Sequence, residues 1–259
     1  MEEWLMNAEV MLSKKEAPYI KKLWGVIRWS LIRHKYLVPA FSLAQAAFAI
    51  AIIYGMALFL PEINREDAVY LSSGALTLGI IAVGCVLAPQ IVSEAKQNGI
   101  FAYQRTLPVS RSSILLGDII IWEIAALPGI IIGCVAAVIR FNVILEISIL
   151  SCLVFLLAQF TTICIGFCIA YWFPTNAMAL VTQIIMIGGL LFSPITYPVE
   201  RLPEWTSYIY QALPFVPISN LIRSTLFHLN NISIYDILVV IVWALITFVL
   251  SLFALSKKD

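Results

Sequence analysis

Long apolar runs separated by short polar stretches dominate this chain. Six of them, near 37–60, 71–93, 113–139, 145–170, 177–193 and 235–255, approach the roughly 20 apolar residues that a helix needs to cross about 30 Å of hydrocarbon. The pattern predicts an all-α polytopic membrane protein with six transmembrane helices and both chain ends on one side. Ahead of the first run, "APYIKKLWGVIRWSLIRHK" puts Ile20, Leu23, Trp24, Ile27 and Leu31 on one helical stripe, with Lys21, Lys22, Arg28 and Arg33 turned away. That is the pattern of an amphipathic helix lying in the membrane interface. The segment before it is polar, and no cleavable secretory leader is expected.

The fifth run is short and leads into "SPITYPVERLPEWTSYIYQALPFVPISNLIRSTLFHLNNIS", where Pro194, Pro198, Pro203, Pro214 and Pro217 forbid a straight spanning helix. Backbone of this kind is tolerated at membrane depth only under protein or water, and amphipathic aromatics prefer the headgroup level. Short re-entrant or interfacial helices between spans five and six are therefore expected, with Tyr197, Trp205 and Tyr208 near the headgroups. The organisation reads as an N-terminal segment with its interfacial helix (1–36) and a six-span domain (37–259), the latter carrying a polar loop at 94–112 and a cap at 194–234. Kinks are expected at Pro89 and Pro128, and "GIIIG" (129–133) has the small-residue spacing that lets helices approach within a bundle.

Composition agrees with the pattern: 61% of residues are hydrophobic and 12% charged, and the mean hydropathy is +0.95. A surface of that kind is not a water-soluble one. The net charge of +1 gives no reason to expect a nucleic-acid partner. The placement of the basic residues says more. Twelve of the 16 lysines and arginines flank one set of run ends, and four (Arg65, Arg140, Arg201, Arg223) fall on the other. The positive-inside rule puts both termini and the 94–112 loop on the cytoplasmic side.

Candidate chemistry is sparse. No Gly-x-x-x-x-Gly-Lys-Ser/Thr loop, His-Glu-x-x-His or Gly-x-Ser-x-Gly occurs. The two histidines, His34 and His228, fall on opposite sides of the predicted membrane, and the five cysteines lie within apolar runs as packing residues, so no metal site is expected. Ionisable residues inside spans are functional candidates by default. Glu123 is the clearest, about ten residues into the third span, where it is either a hydrogen-bonded buried carboxyl or part of a pathway. Asp118 and Glu94 are close enough to span ends to reach headgroups. Gln45, Gln90, Gln159 and Gln183 are candidates for a polar path or for interhelical hydrogen bonds.

Two stretches resemble a known family. "SEAKQNGIFAYQRTLPVSRSSILLGD", through Glu94, Gly99, Pro108, Val109, Ser110, Arg111 and Gly117, is similar to the cytoplasmic signature of type 2 ABC transporter permeases. The outer stretch, through Ser193, Pro198, Leu202, Pro203, Trp205, Pro214 and Arg223, resembles that family's second motif. The chain departs from the pattern at Ile100, Asp118 and Pro194. The resemblance implies a bacterial cytoplasmic-membrane exporter subunit that pairs with a second permease, identical or related, and with two copies of a cytoplasmic ATPase. ATP and Mg would then be cofactors of the partner, none belonging to this chain, and the chain itself would be no enzyme. It further implies that residues 94–107 form a short cytoplasmic helix that contacts the ATPase through Glu94, Gln97, Asn98, Gly99, Phe101, Tyr103 and Arg105. Ser73, Thr77, Gln90, Glu123, Thr182, Gln183, Met186 and Phe192 would line the substrate pathway, and an amphipathic drug, antimicrobial peptide or lipid-like compound would suit so mixed a lining. An ATPase-independent secondary transporter or channel-like protein is the alternative, and an intramembrane lipid enzyme a third. Paired intramembrane charges or a second broken helix would favour the former, and paired carboxylates or metal ligands on the spans the latter.

Overall fold

The computed structural model describes residues 18–58, 64–191, 193–197, 203–229 and 231–256. Among them it has ten helices and no strand. In chain order these are α1 (Tyr19–Arg33), α2 (Leu37–Ala57), α3 (Arg65–Gln97), α4 (Ile100–Thr106), α5 (Arg111–Phe141), α6 (Ile149–Trp172), α7 (Thr175–Leu191), α8 (Glu204–Ala212), α9 (Phe215–Leu226) and α10 (Ile234–Ser256). Five of them, α2, α3, α5, α6 and α10, are long and apolar enough to cross a membrane. The expected fifth span is α7, an apolar helix of 17 residues that falls short of that length.

The spans pack on α3. In its most apolar stretch 78% of the residues are buried, against 22% for α10 at the periphery. Between apolar helices lipid supplies no hydrophobic drive, so close approach has to come from small residues and interhelical hydrogen bonds. Both are present. A Cβ on Gly129 would stand 2.7 Å from the Cβ of Gln45, and one on Gly133 3.2 Å from that of Ala49, so the "GIIIG" stretch of α5 admits α2, and Ser42 then donates to the Ala125 carbonyl. On the other flank α10 buries Val240, Ala244, Thr247, Ser251 and Leu255, one stripe at helical spacing.

The kink expected at Pro89 takes a different form. A proline at this point lacks an N–H and crowds the carbonyl four residues earlier, at Cys85. Helix α3 absorbs this in a widened π turn over Ala82–Leu87 and then continues as a regular helix from Ala88. The π turn is where α6 crosses: Gly84 and Gly166 meet backbone to backbone, and the Cys85 thiol donates to the Thr162 carbonyl at 3.4 Å. Helix α5 runs unbroken through Pro128 to Asn142, which caps it in the left-handed region (φ 50°).

Beyond α7 the chain turns inward. Ser193, Pro194, Ile195 and Thr196 are buried, with Thr196 against α3 at Gly74, where a Cβ would meet Thr196 Cγ2 at 2.6 Å. Helix α8 exposes Trp205, Tyr208 and Ile209, and α9 is buried through most of its length. The 194–234 segment is thus two short helices and an inserted turn among the described residues, consistent with the interruption that the prolines predict.

Candidate coupling surface and membrane pathway

The polar stretch at 94–107 is two elements, not the single helix expected. Helix α3 carries on to Gln97, Gly99 takes a left-handed φ of 72°, and only then does α4 begin. Glycine suits that turn because other residues are strained there. Leu107 is extended, as a residue before proline must be, so Pro108 ends α4, and Ser110 caps α5 by accepting from the Ser113 amide at 3.2 Å.

Two aromatic contacts mount α4 on the bundle. The Phe101 ring sits 5.5 Å from that of Tyr171 at the end of α6, and the Tyr103 ring 6.3 Å from Trp29 of α1. Phe101 therefore turns inward and joins the main apolar cluster. Gln104 is buried as well. Glu94, Gln97, Asn98, Gly99 and Tyr103 are exposed around the α3–α4 corner. The expected ATPase-contacting residues thus divide into one that positions the helix and five that face outward. The side chain of Arg105 lies outside the described residues.

Beneath this corner α1 is pinned to α5. Ser30 Oγ donates to Asp118 Oδ1 at 2.6 Å, and Arg33 Nη2 donates to the same oxygen at 3.3 Å. Arg33 also lies over the Trp29 ring, 4.5 Å from its centroid. This corrects two sequence expectations: Asp118 is buried and does not reach headgroups, and Arg33 turns inward. The cause is Gly117, where a Cβ would stand 2.8 Å from Val26 Cγ1. Without a side chain there, α1 settles directly over Asp118. His34, just past α1, donates from Nδ1 to the Ser30 carbonyl at 3.0 Å. Burial, aided by the neighbouring Arg33 charge and opposed by Asp118, holds its pKa below the ordinary value.

The expected pathway residues fall in three places. Ser73 and Thr77 are fully buried in α3, and Ser73 Oγ accepts from Arg223 Nε at 3.2 Å. Gln90 is exposed and donates to Thr182 Oγ1 at 3.4 Å, which links α3 to α7, with Gln183 exposed and Met186 half-buried on the same helix. Glu123 stands apart from both and lines a groove between α5 and α6. Phe192 lies outside the described residues.

Sequence reasoning passed over the strongest polar cluster, which gathers at Arg223 of α9. Its guanidinium donates to Ser73, to Asn220 Oδ1 (3.1 Å), to the Ile195 carbonyl (2.9 Å) and to Ser219 Oγ (3.0 Å), and it lies 3.9 Å from the Tyr70 ring centroid. Burial draws its pKa down to about 10, which leaves it a cation at neutral pH. One cation thus ties α9 and the inserted turn to α3. The available signal was a lone arginine in the apolar run "ISNLIRSTLF", which the charge count treated as a loop residue.

The family model described as ABC-2 type transporter matches residues 22–227, most of the chain and all of the features above except α10. The chain belongs to the ABC-2 type transporter family. It is accordingly an integral membrane protein and the permease component of an ABC transporter, a kind of subunit distinct from the nucleotide-binding domain and one that normally works with an ATPase partner. No curated protein matches the chain. In this ABC-2 permease the outward corner at Glu94–Tyr103, the Asp118 anchor and the Arg223 cluster are the places where the fold concentrates polar structure.

Proposed function

We propose that this permease is the membrane-spanning half of an ATP-driven exporter, in which two permeases, identical or related, enclose a pathway and two ATPase subunits dock from the cytoplasm. The observation that carries the reading is the mounting of α4. A seven-residue helix is fixed to α6 by Phe101 and to α1 by Tyr103, while Glu94, Gln97, Asn98 and Tyr103 face outward. An aromatic anchor inside a polar rim is the composition of a protein interface, and a helix so mounted passes a push to the span α6 and to α1 at once. The excess of basic residues at this end of the bundle supports a cytoplasmic orientation. With α7 as a sixth, short span, α3 and α7 border the pathway through Gln90, Thr182, Gln183 and Met186. Their mixed lining suits an amphipathic drug, peptide or lipid-like compound.

Co-expression of a tagged chain with its ATPase tests this. Tyr103→Ala should lower ATPase recovery at least about tenfold, since an interface aromatic typically contributes about 2 kcal/mol or more. Unchanged recovery and unchanged ATP-driven export in Tyr103→Ala and Gln97→Ala would reject the docking role.

A further inference from the structure

A groove of about 600 Å³ runs between α5 and α6. Its α5 wall extends from Glu123 to Ile139, and the α6 side from Ile147 to Gln159. Nearly all of it is apolar, and Ile131, Val135 and Ile139 on its α5 wall are exposed to the surroundings, which in a membrane means lipid. One end differs. The Glu123 carboxyl is half-buried there with no partner among the described residues. Beside it on the wall is Gln159, 1% exposed, whose amide nitrogen and oxygen both lack a hydrogen-bond partner.

A buried amide with both atoms unpaired is rare, because each unpaired atom carries its full desolvation cost. An intramembrane carboxyl with nothing opposite is costlier still. Gln159 Oε1 and the Glu123 carboxylate both accept, so this end suits a group that donates hydrogen bonds and carries positive charge, with Gln159 Nε2 left to donate to the carboxylate. The shape of the groove limits what bears that group. The α5 wall, 17 residues from Glu123 to Ile139, spans about 24 Å at a helical rise of about 1.5 Å. A groove of this length, almost wholly apolar and open along one side to lipid, suits an extended hydrocarbon chain. Ser151, the remaining hydroxyl on the wall, is already bonded to Ser148, so the polar end is confined to Glu123 and Gln159.

We propose that this groove binds a single-chain cationic amphiphile, with a protonated amine between Glu123 and Gln159 and an apolar tail along α5. The ammonium donates to the carboxylate and to Gln159 Oε1, and the tail replaces lipid against Leu127, Ile131 and Val135. The site needs neither the ATPase nor export, so its failure would leave the exporter reading intact.

Native thiols report on it. Cys134 and Cys152 line the groove, Cys168 lies outside it, and Cys85 and Cys164 are buried. The full chain in phosphatidylcholine nanodiscs is labelled with a membrane-permeant maleimide, with and without hexadecylamine, and labelling is followed by peptide mass. The amine should slow labelling of Cys152 and Cys134 at least about tenfold more than an equal amount of hexadecanol, the difference expected of a charge-assisted hydrogen bond. Cys168 should be unaffected. Glu123→Gln should abolish the amine's advantage while Cys85 and Cys164 stay unreactive, which shows that the variant is folded, and Ile131→Trp should protect the two thiols with no ligand added. Equal protection by amine and alcohol would mean that any acyl chain fills the groove and would overturn the proposal. So would full protection in Glu123→Gln, no protection at all, or a membrane protein recovered on this face in place of the amphiphile.

Discussion

Removing the side chain of Arg223 should loosen the inserted turn and α9 from α3, and the geometry sets the size of the effect. In Arg223→Ala, Ser219 keeps a bond to the Ile195 carbonyl (3.3 Å) and Ser73 one to the Tyr70 carbonyl (3.3 Å). Asn220 Oδ1 loses the donation it receives from Arg223, a loss of about 1 kcal/mol for a half-buried acceptor. The contact with Tyr70 goes too, worth about 1–2 kcal/mol for a desolvated cation–π pair, and a cavity is left behind. Relief from holding a cation out of water offsets only about 1 kcal/mol of this, because four hydrogen bonds and the Tyr70 ring already compensate most of its desolvation. The net expectation is a loss of about 3 kcal/mol. At about 2–4 °C per kcal/mol for a chain of this size, the midpoint should fall by about 6–12 °C. Arg223→Met fills most of the volume and isolates the polar share, with a fall of about 4–8 °C expected from about 2 kcal/mol. The assay is thermal unfolding of purified protein in one detergent, followed by tryptophan fluorescence. If the Met variant melted within about 2 °C of the parent, a gap smaller than one hydrogen bond to a charged group, the cluster would not be what holds the cap.

Phe101→Ala should cost about 3 kcal/mol of stability as a large-to-small change in a packed site, whereas Tyr103→Ala gives up only a ring pair worth about 0.5–1.5 kcal/mol at an exposed site and should act mainly on ATPase recovery; the two measurements together separate a residue that only mounts α4 from one that also makes contact. Gly166→Ala should destabilise by about 1–3 kcal/mol, because the new methyl meets the Gly84 backbone, which cannot rotate away; a neutral result in the same melt would show that the helices are further apart. His34 is buried with a lowered pKa, so the unfolded chain binds protons more readily than the folded one, and stability should fall as pH drops below about 6.5. His34→Gln should flatten that dependence between about pH 7.5 and 5.5, and an unchanged slope would assign it to another group.

The long elements were legible because hydrophobic length alone specifies them. Five spans and the punctuation at Pro108 and Ser110 follow from rules that act within one turn of chain. What the sequence concealed depends on glycine. Gly117 reads as one small residue among many, yet its missing Cβ lets α1 cover Asp118 and turns a residue expected at the headgroups into a buried anchor. Gly84 and Pro89 together produce a π turn in which α6 can lie, whereas proline alone suggested only a kink. Arg223 was counted by sign and side, and a charge count cannot see that four acceptors from three segments converge on it. For the expected coupling surface, the resemblance pointed to residues around Gly99 but said nothing of their facing: Phe101 and Tyr103 look alike in sequence, and only burial and ring partners separate the inward one from the outward one.

The docking role requires the outward corner at Gln97–Tyr103 to touch an ATPase in the cytoplasm. A photo-cross-linking residue placed at position 103 in native membranes tests it most directly, with one at position 205 on α8 as the control. Docking there should give a protein adduct at position 103 whose partner binds ATP, lost when the partner is deleted, and no such adduct at position 205. An adduct with an ATP-binding protein at position 205 but not at position 103 would invert the topology. Lipid adducts alone at both positions would contradict the coupling role.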